Sequence, residues 1–343
     1  MPGIYLDHQA TTPVDPRVVE AMLPFMTQRF ANAHANTYRS ATDALRAIED
    51  ARRKFASTVC ARSKDVIFTS GATEANNIAI QGIAAAASKH RRRIVTQTTE
   101  HRSVLETVAS LSRHGFEAIA VNVHRDGLVN LEELSRVVDD RTLLVSVMLV
   151  NNETGVIQPL RTISEICKRT GTLVHSDCAQ AMGKVPIDVE AFQLDLASFS
   201  AHKAYGPKGV GALYVRNLRR APIRPICFGG GQEGGIRPGT LPVPLCVGMG
   251  TAAVIAKLEQ SASIQRAADL EFKLWRGIQR VFPGARINGH PKFRAPGCLS
   301  IRFPGHQSDA LIDAWEGIEV AKGSACDATT TQSSHVLRSM RLT

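Results

Sequence analysis

The chain has 343 residues, of which 44% are hydrophobic, and a formal net charge of +10. That length can hold a large core and two domains, and the hydrophobic share is that of an ordinary soluble globular protein. Seven scattered cysteines without a Cys-x-x-Cys pair argue against a disulfide framework and a zinc site. No signal-like stretch opens the chain and no apolar run reaches membrane-spanning length, so the expected setting is cytoplasmic, with no membrane contact.

In chain order, Ile4-Tyr5-Leu6 reads as a short N-terminal strand. From Val66 to Val215 strands alternate with helical patterns, which predicts an α/β fold with a mainly parallel sheet sandwiched by helices. The strand Val66-Ile67-Phe68 is followed by Ser70-Gly71-Ala72-Thr73-Glu74-Ala75-Asn76-Asn77, which opens a helix. Small residues there let the backbone approach an anion, the first N–H groups of the helix point at it, and Thr73 adds a hydroxyl. Ile94-Val95-Thr96 precedes Thr99-Glu100-His101. Leu143-Leu144-Val145-Ser146-Val147 precedes Asn151-Asn152-Glu153-Thr154-Gly155. The β-branched run Thr172 to Ser176 ends at Asp177, with Gln180 three residues on. Leu194 to Phe199 is the next strand, and it delivers Ser200-Ala201-His202-Lys203. Further on, Ala252 to Leu274 reads as one long helix, Gly297 to Phe303 as strand-like and Ser308 to Trp315 as a helix. These pieces predict a large domain over residues 15–255 and a smaller α+β domain formed by 1–14 with 256–343.

An acid at one strand end and a lysine after the next strand suit pyridoxal phosphate chemistry. The lysine forms a Schiff base with the aldehyde, and the acid keeps the pyridinium nitrogen protonated so that the ring acts as an electron sink. Ser200 and His202 flank the lysine within reach of a phosphate. An arbitrary Asp and Lys at this spacing are more often a helix cap and a surface lysine; the small-residue junction Ser70 to Asn77, His101, Asn152 and Gln180 reverse that prior.

Taken in order, these residues resemble the cysteine desulfurases of the fold-type I, class-V aminotransferase family. The resemblance runs from Tyr5-Leu6-Asp7-His8-Gln9-Ala10-Thr11-Thr12-Pro13 through the segments above. It continues through Ala204-Tyr205-Gly206-Pro207-Lys208-Gly209 and Arg237-Pro238-Gly239-Thr240-Leu241-Pro242 to Gly323-Ser324-Ala325-Cys326 and Val336-Leu337-Arg338. It implies that Lys203 is the Schiff-base lysine and that His101 stacks on the ring and helps to move protons. Asp177 would be the pyridinium partner and Gln180 the donor to the ring hydroxyl. Ala72, Thr73, Ser200 and His202 would hold the phosphate, Asn152 would lie near the substrate carboxylate, and Cys326 would be the nucleophile. Thr240 would contact the phosphate across a homodimer. The implied reaction takes L-cysteine to L-alanine and leaves a persulfide on Cys326, for a sulfur-acceptor protein such as an iron–sulfur scaffold or a tRNA-thiolation enzyme.

Cys326 sits among small, polar, unpatterned residues from Lys322 to Ser334, which read as a long loop of the kind found in the long-loop branch of that family. Cys60, Cys167 and Cys246 read as small buried hydrophobes in helical stretches, Cys178 as a packing residue near the cofactor, and Cys227 and Cys298 carry no assigned role. The sequence stops 17 residues after Cys326, and no residue matches the arginine with which the family clamps the substrate carboxylate. The alternatives are therefore a selenocysteine lyase-like enzyme, or a C-terminally short, catalytically impaired paralogue acting as a binding or regulatory subunit. The basic clusters Lys89-His90-Arg91-Arg92-Arg93 and Arg216 to Arg224 lack interleaved aromatics. They read first as solvated loops, second as a face for an acidic protein, and only third as a nucleic-acid surface.

Overall fold

The computed structural model of the chain describes residues 3–35, 37–323 and 334–342. The elements in order are β1 (Ile4–Tyr5), α1 (Pro16–Thr27), α2 (Arg39–Thr58), β2 (Val66–Thr69), α3 (Ala72–Ala85), β3 (Arg93–Gln97), α4 (Arg102–Ser110), β4 (Glu117–Val121), α5 (Leu131–Val137), β5 (Thr142–Ser146), α6 (Leu160–Lys168), β6 (Leu173–Asp177), β7 (Leu196–Ser200) and β8 (Gly211–Val215). They continue with α7 (Val243–Leu258), α8 (Gln260–Val281), β9 (Arg286–Ile287), β10 (Ile301–Arg302), α9 (Ser308–Ala314), β11 (Ile318–Glu319) and α10 (His335–Ser339).

β2 to β8 form one seven-stranded sheet in the order β2-β8-β7-β6-β5-β3-β4. Its pairings are parallel except those of β8, which runs antiparallel to both β2 and β7. Strand side chains point to opposite faces in turn, and here both sets are apolar, as in a sheet covered twice. Phe68, Val95, Val145, Val174, Ala197 and Ala212 join the core beneath α2, α6 and α7. Their neighbours Ile67, Ile94, Leu144, Leu196 and Leu213 join the other core, beneath α3 and α4. The expected mainly parallel sheet sandwiched by helices is therefore what forms. Outside it, β1 pairs in parallel with β11, so the N-terminal strand joins the C-terminal part of the chain.

Three local expectations change. The single helix expected over Ala252 to Leu274 is two, broken at Glu259. Glu259 Oε1 accepts from Arg17 at 2.6 Å and Gln260 Nε2 donates to the Val185 carbonyl at 2.8 Å, which pins the corner. Of the strand-like run Gly297 to Phe303 only Ile301–Arg302 is strand, because Gly297 turns the chain at φ +79°. Cys60 is exposed, unlike buried Cys167 and Cys246: it lies two residues past the end of α2 in a left-handed turn, φ +59°, which directs its side chain off the core.

The basic run at Lys89 to Arg93 is also less solvated than its composition suggests. Arg91 donates to the carbonyls of Gly171 (2.7 Å), Thr142 and Thr170. The Arg92 guanidinium lies 4.0 Å over the Phe116 ring, and Arg93 pairs with Glu117 and Asp139, each at 2.8 Å. These guanidiniums fasten strand ends and loops. Among the described residues, no helix is long and apolar enough to cross a membrane.

His175 sits at the centre of the sheet with its Nδ1 2.8 Å from Ser146 Oγ on β5 and its Nε2 2.9 Å from Ser198 Oγ on β7. Burial lowers its pKa from 6.5 to about 4, with the Asp177 charge opposing. The unfolded chain therefore binds a proton that the folded chain refuses, so stability is lost as pH falls through 6.5 toward 4. The loss from this one group is at most about 3 kcal/mol. Urea unfolding midpoints measured across that window should fall for the native chain and fall less steeply for His175→Gln; equal slopes would remove His175 as the cause.

Candidate active site

β6 and β7 are paired so that Asp177 lies opposite Ser198. β7 ends at Ser200, and a single tight turn, Ala201–Lys203, follows it, so that Lys203 and Asp177 line the same cavity. A cavity of about 420 Å³ opens there. Ala72, Thr73, His101, Asn152, Asp177, Gln180, Ser200, His202 and Lys203 all line it. The structure thus gathers nine of the eleven residues singled out from the sequence. Thr240 is exposed and is not part of this lining. Cys326 lies outside the described residues, but Gly323, three positions before it, lines the cavity.

Each side chain is held by neighbours. Asp177 is 5% exposed; its Oδ2 accepts from Asn76 Nδ2 at 2.7 Å and its Oδ1 from the Ala179 N–H at 2.9 Å. Gln180 Oε1 accepts from Lys184 Nζ at 2.8 Å, which leaves the amide nitrogen as the donating end; that nitrogen donates to the Gln9 carbonyl at 2.8 Å. Burial lowers the Lys184 ammonium to about 8. The N-terminal segment locks the lysine turn: Thr12 N–H and hydroxyl both donate to the His202 carbonyl at 2.9 Å, and the Tyr205 N–H donates back to Thr12 Oγ1 at 2.8 Å. His202 Nδ1 lies 3.0 Å from Thr11 Oγ1. Burial first, then the charges of Lys203, Lys208 and Lys184, lower its pKa to about 4, so this ring is neutral at neutral pH.

His101 is the N-cap of α4: its Nδ1 accepts from the Ser103 N–H at 3.1 Å and lies 2.8 Å from Ser103 Oγ. Asn152 is set by its neighbour Asn151, whose Oδ1 accepts from the N–H groups of Glu153 and Thr154 at 3.0 and 2.9 Å. Glu100, fully buried, accepts from the Met148 N–H at 2.7 Å. Burial pushes its carboxyl well above the ordinary range, helped by the Asp177 charge.

Sequence reasoning passed over the residues that do this holding. Asn76 stands inside the segment Ser70 to Asn77, whose sequence signal is its small residues and Thr73. Ser103 lies two residues after His101 and Lys184 four after Gln180, local spacings that a search for side-chain partners would find. Glu74 and Arg237, paired at 3.1 Å, are 163 positions apart, and no local signal joins them.

The sequence profile of the Aminotransferase class-V family matches residues 4–343. The chain belongs to the class-V aminotransferase family. This class-V chain is 46% identical over 337 residues to the cysteine desulfurase IscS of Rickettsia africae, across 98% of its own length and 82% of that relative's. Its fold matches a solved NifS-like protein with a TM-score of 0.92 at 38% identity, over 99% of this chain and 90% of that one. It matches SspA, solved in complex with cysteine, with a TM-score of 0.88 at 34% identity, over 99% and 95% of the two chains.

Pyridoxal phosphate is the cofactor of this class-V chain, and the residues present fit it. α3 starts at Gly71 with no side-chain cap, so its first-turn N–H groups are available to an anion. The cradle is closed from below by Gly211, where a Cβ would lie 2.4 Å from the Phe199 carbonyl and 2.6 Å from Gly71 Cα. Asn152 Oδ1 is buried without a hydrogen-bond partner among the described residues, and a polar ligand in the cavity would supply one. The fit predicts that Gly211→Ala, which forces β8 away from Gly71, destabilises the fold by about 1–3 kcal/mol and weakens cofactor retention. Thermal unfolding and the cofactor absorbance left after dialysis measure both; an unchanged Tm with full retention would contradict the packing argument.

Proposed function

We propose that the chain is a cysteine desulfurase: it takes sulfur from L-cysteine, releases L-alanine and carries the sulfur as a persulfide on Cys326. The observation that carries this reading is the convergence of Asp177, Lys203, His101, Gln180 and Asn152 on one cavity whose rim reaches Gly323. Bound pyridoxal phosphate supplies the electron sink that makes bonds at the substrate Cα and Cβ labile. Every other part belongs to the chain. Ala72, Thr73, Ser200 and the neutral His202 hold the phosphate. Lys203 anchors the aldehyde and takes the proton from the substrate Cα. Asp177, fixed by Asn76 and the Ala179 N–H, holds a proton on the ring nitrogen. Gln180, turned by Lys184, directs its amide nitrogen at the ring hydroxyl, and His101 stacks on the ring. Asn152 receives the substrate on the open side.

The Cys326 thiolate attacks the substrate sulfur. An S–S bond forms as the Cβ–S bond breaks, the electron pair stays with Cβ, and a proton there completes alanine; no outside oxidant or reductant is needed. The position of Cys326 is supported by its flanks. Gly323 lines the cavity, and a Cβ on it would lie 3.7 Å from Ser334 Cβ. Three residues span about 10 Å, enough to bring Cys326 over the cavity. Three of the other thiols are poorly suited, because burial pushes Cys167, Cys178 and Cys246 up to about 12 and the nucleophile must be a thiolate.

Two chains complete each site in this reading. Thr240 is exposed and off its own cavity, and Val19, Leu23 and Met26 expose one apolar face of α1, with Phe30 beyond it. A homodimer would cover that face and bring Thr240 to the partner's phosphate. The acceptor is a sulfur-receiving protein of iron–sulfur assembly or tRNA thiolation, the setting is cytoplasmic, and residues 15–255 serve as the cofactor domain, with 1–14 and 256–343 as the smaller one.

Incubation with cysteine should yield alanine and one added sulfur on the Cys326 peptide by mass spectrometry. Cys326→Ala should abolish persulfide while cysteine still perturbs the cofactor absorbance. Lys203→Ala should lose the covalent adduct trapped by borohydride. Sulfur on Cys178 in a fully active Cys326→Ala protein would overturn the nucleophile. Alanine from selenocysteine but not from cysteine would replace desulfurase by selenocysteine lyase. Light scattering should give a dimer at micromolar concentration; a monomer with full cofactor occupancy would remove the shared site.

A further inference from the structure

The geometry points to His101 as a neutral imidazole that carries its proton on Nε2, held so by Ser103 and Asn76 as positioning residues. This deepens the desulfurase reading and rests on it for the importance of His101. Three hydrogen bonds fix the ring. The Ser103 backbone N–H can only donate, and it lies 3.1 Å from His101 Nδ1. Nδ1 must therefore carry the lone pair. Asn76 Nδ2 donates one hydrogen to Asp177 Oδ2 at 2.7 Å and the other to Ser103 Oγ at 2.9 Å. The amide cannot be turned over, because its oxygen would then face the carboxylate. Ser103 Oγ, accepting from Asn76, sends its own hydrogen to His101 Nδ1, 2.8 Å away. Two donors thus converge on one ring nitrogen, and a proton there would point into both.

The surroundings act the same way. His101 caps the N-terminus of α4, the positive end of the helix dipole, which disfavours a cation. Among the described residues, the charged and titratable groups that share its cavity are Asp7, Glu74, Asp177, His202, Lys203 and Lys208, with Glu100 before it and Arg102 after it in the chain. Asp177 is already engaged by Asn76 and Ala179, and burial disfavours the charged form of Glu100.

The consequence is specific. At rest His101 has no vacant nitrogen for a proton, because Nδ1 is occupied by two donors and Nε2 is already protonated. It acts as a stacked ring and a hydrogen-bond donor from Nε2, and removal of the Cα proton falls to Lys203. The same chain of bonds ends on Asp177, so one network sets the proton states on both sides of the cavity.

The test is nitrogen NMR of protein labelled with 15N-histidine, with and without cofactor, using His101→Asn to assign the resonances. Nδ1 of His101 should appear as an unprotonated, pyridine-type nitrogen and Nε2 as a protonated one at neutral pH in both forms. Ser103→Ala should lower kcat about 10- to 100-fold through misplacement of the ring with KM little changed, and Ser103→Thr should restore it. Ser103→Ala combined with Asn76→Ala should cost less than the sum of the single changes, because both break one chain. A protonated Nδ1 in the native protein would overturn the inference whatever the variants do. It would leave the desulfurase reading intact if cysteine still yields alanine; the expected tautomer with no alanine formed would instead sink the desulfurase reading alone.

Discussion

The pairing of β6 with β7 is the constraint on which the rest depends. In a parallel pair both strands point their carboxyl ends to the same edge of the sheet, and open α/β sheets bind ligands at that edge. The register that sets Asp177 opposite Ser198 lets the turn after Ser200 bring Lys203 into the cavity that Asp177 lines. A slip of one residue would turn Asp177 to the opposite face. What prevents the slip is apolar: Val174 and Ala197 bury into one core, and Leu196 into the other. The two cores therefore hold the register from both sides, and the chemistry inherits its geometry from packing.

Polar groups buried at that edge carry a cost unless they are bonded. Asp177, Asn76, His175 and Glu100 are each almost wholly buried, and each is tied to a neighbour by at least one hydrogen bond between 2.7 and 2.9 Å. Such networks are rigid, because moving one member leaves another unsatisfied. That rigidity is useful where an acid must keep a proton at one atom and a ring must keep one tautomer. Asn152 Oδ1 and Asn76 Oδ1 are among the buried atoms that lack partners among the described residues; Asn152 lines the cavity, and Asn76 holds Asp177, which lines it too.

The edges of the site are fastened by ion pairs that bridge distant segments. Arg52 on α2 pairs with Glu233 at 2.6 Å, and the same carboxylate accepts from the Phe68 N–H at 2.7 Å. Glu233 takes a left-handed backbone, φ +49°, a strained conformation that persists because the buried pair holds it. Burial pushes Glu74 up, but the Ser70 N–H and Arg237 outweigh it and hold its carboxyl below the ordinary range. The two pairs fix the loop that carries Arg237 and Thr240 against the phosphate cradle. The N-terminal segment does the same for the lysine turn through Thr11 and Thr12.

The strands from Val66 to Val215, their mainly parallel arrangement and the group of residues around the cavity could be read from the chain, because each rests on local physics. β-branched runs make strands, small residues at a strand–helix junction admit an anion, and an acid and a lysine after adjacent strands imply one cofactor. Where local patterning was equivocal, tertiary contacts decided. The apolar run from Ala252 to Leu274 carries no mark of the break that Arg17 and Val185 impose at Glu259. The Lys89 to Arg93 cluster looks solvated until the carbonyls of Gly115 and Gly171 and the ring of Phe116 are brought to it. Residue types announce that His101 and Asp177 can do chemistry, but not which nitrogen holds a proton or which oxygen is engaged. The Ser103 N–H that meets His101 Nδ1 is local to the start of α4, but Asn76 on α3 reaches Ser103 and Asp177 only when the helices pack on the sheet, since a hydrogen bond is decided by the position of two atoms and not by the identity of one.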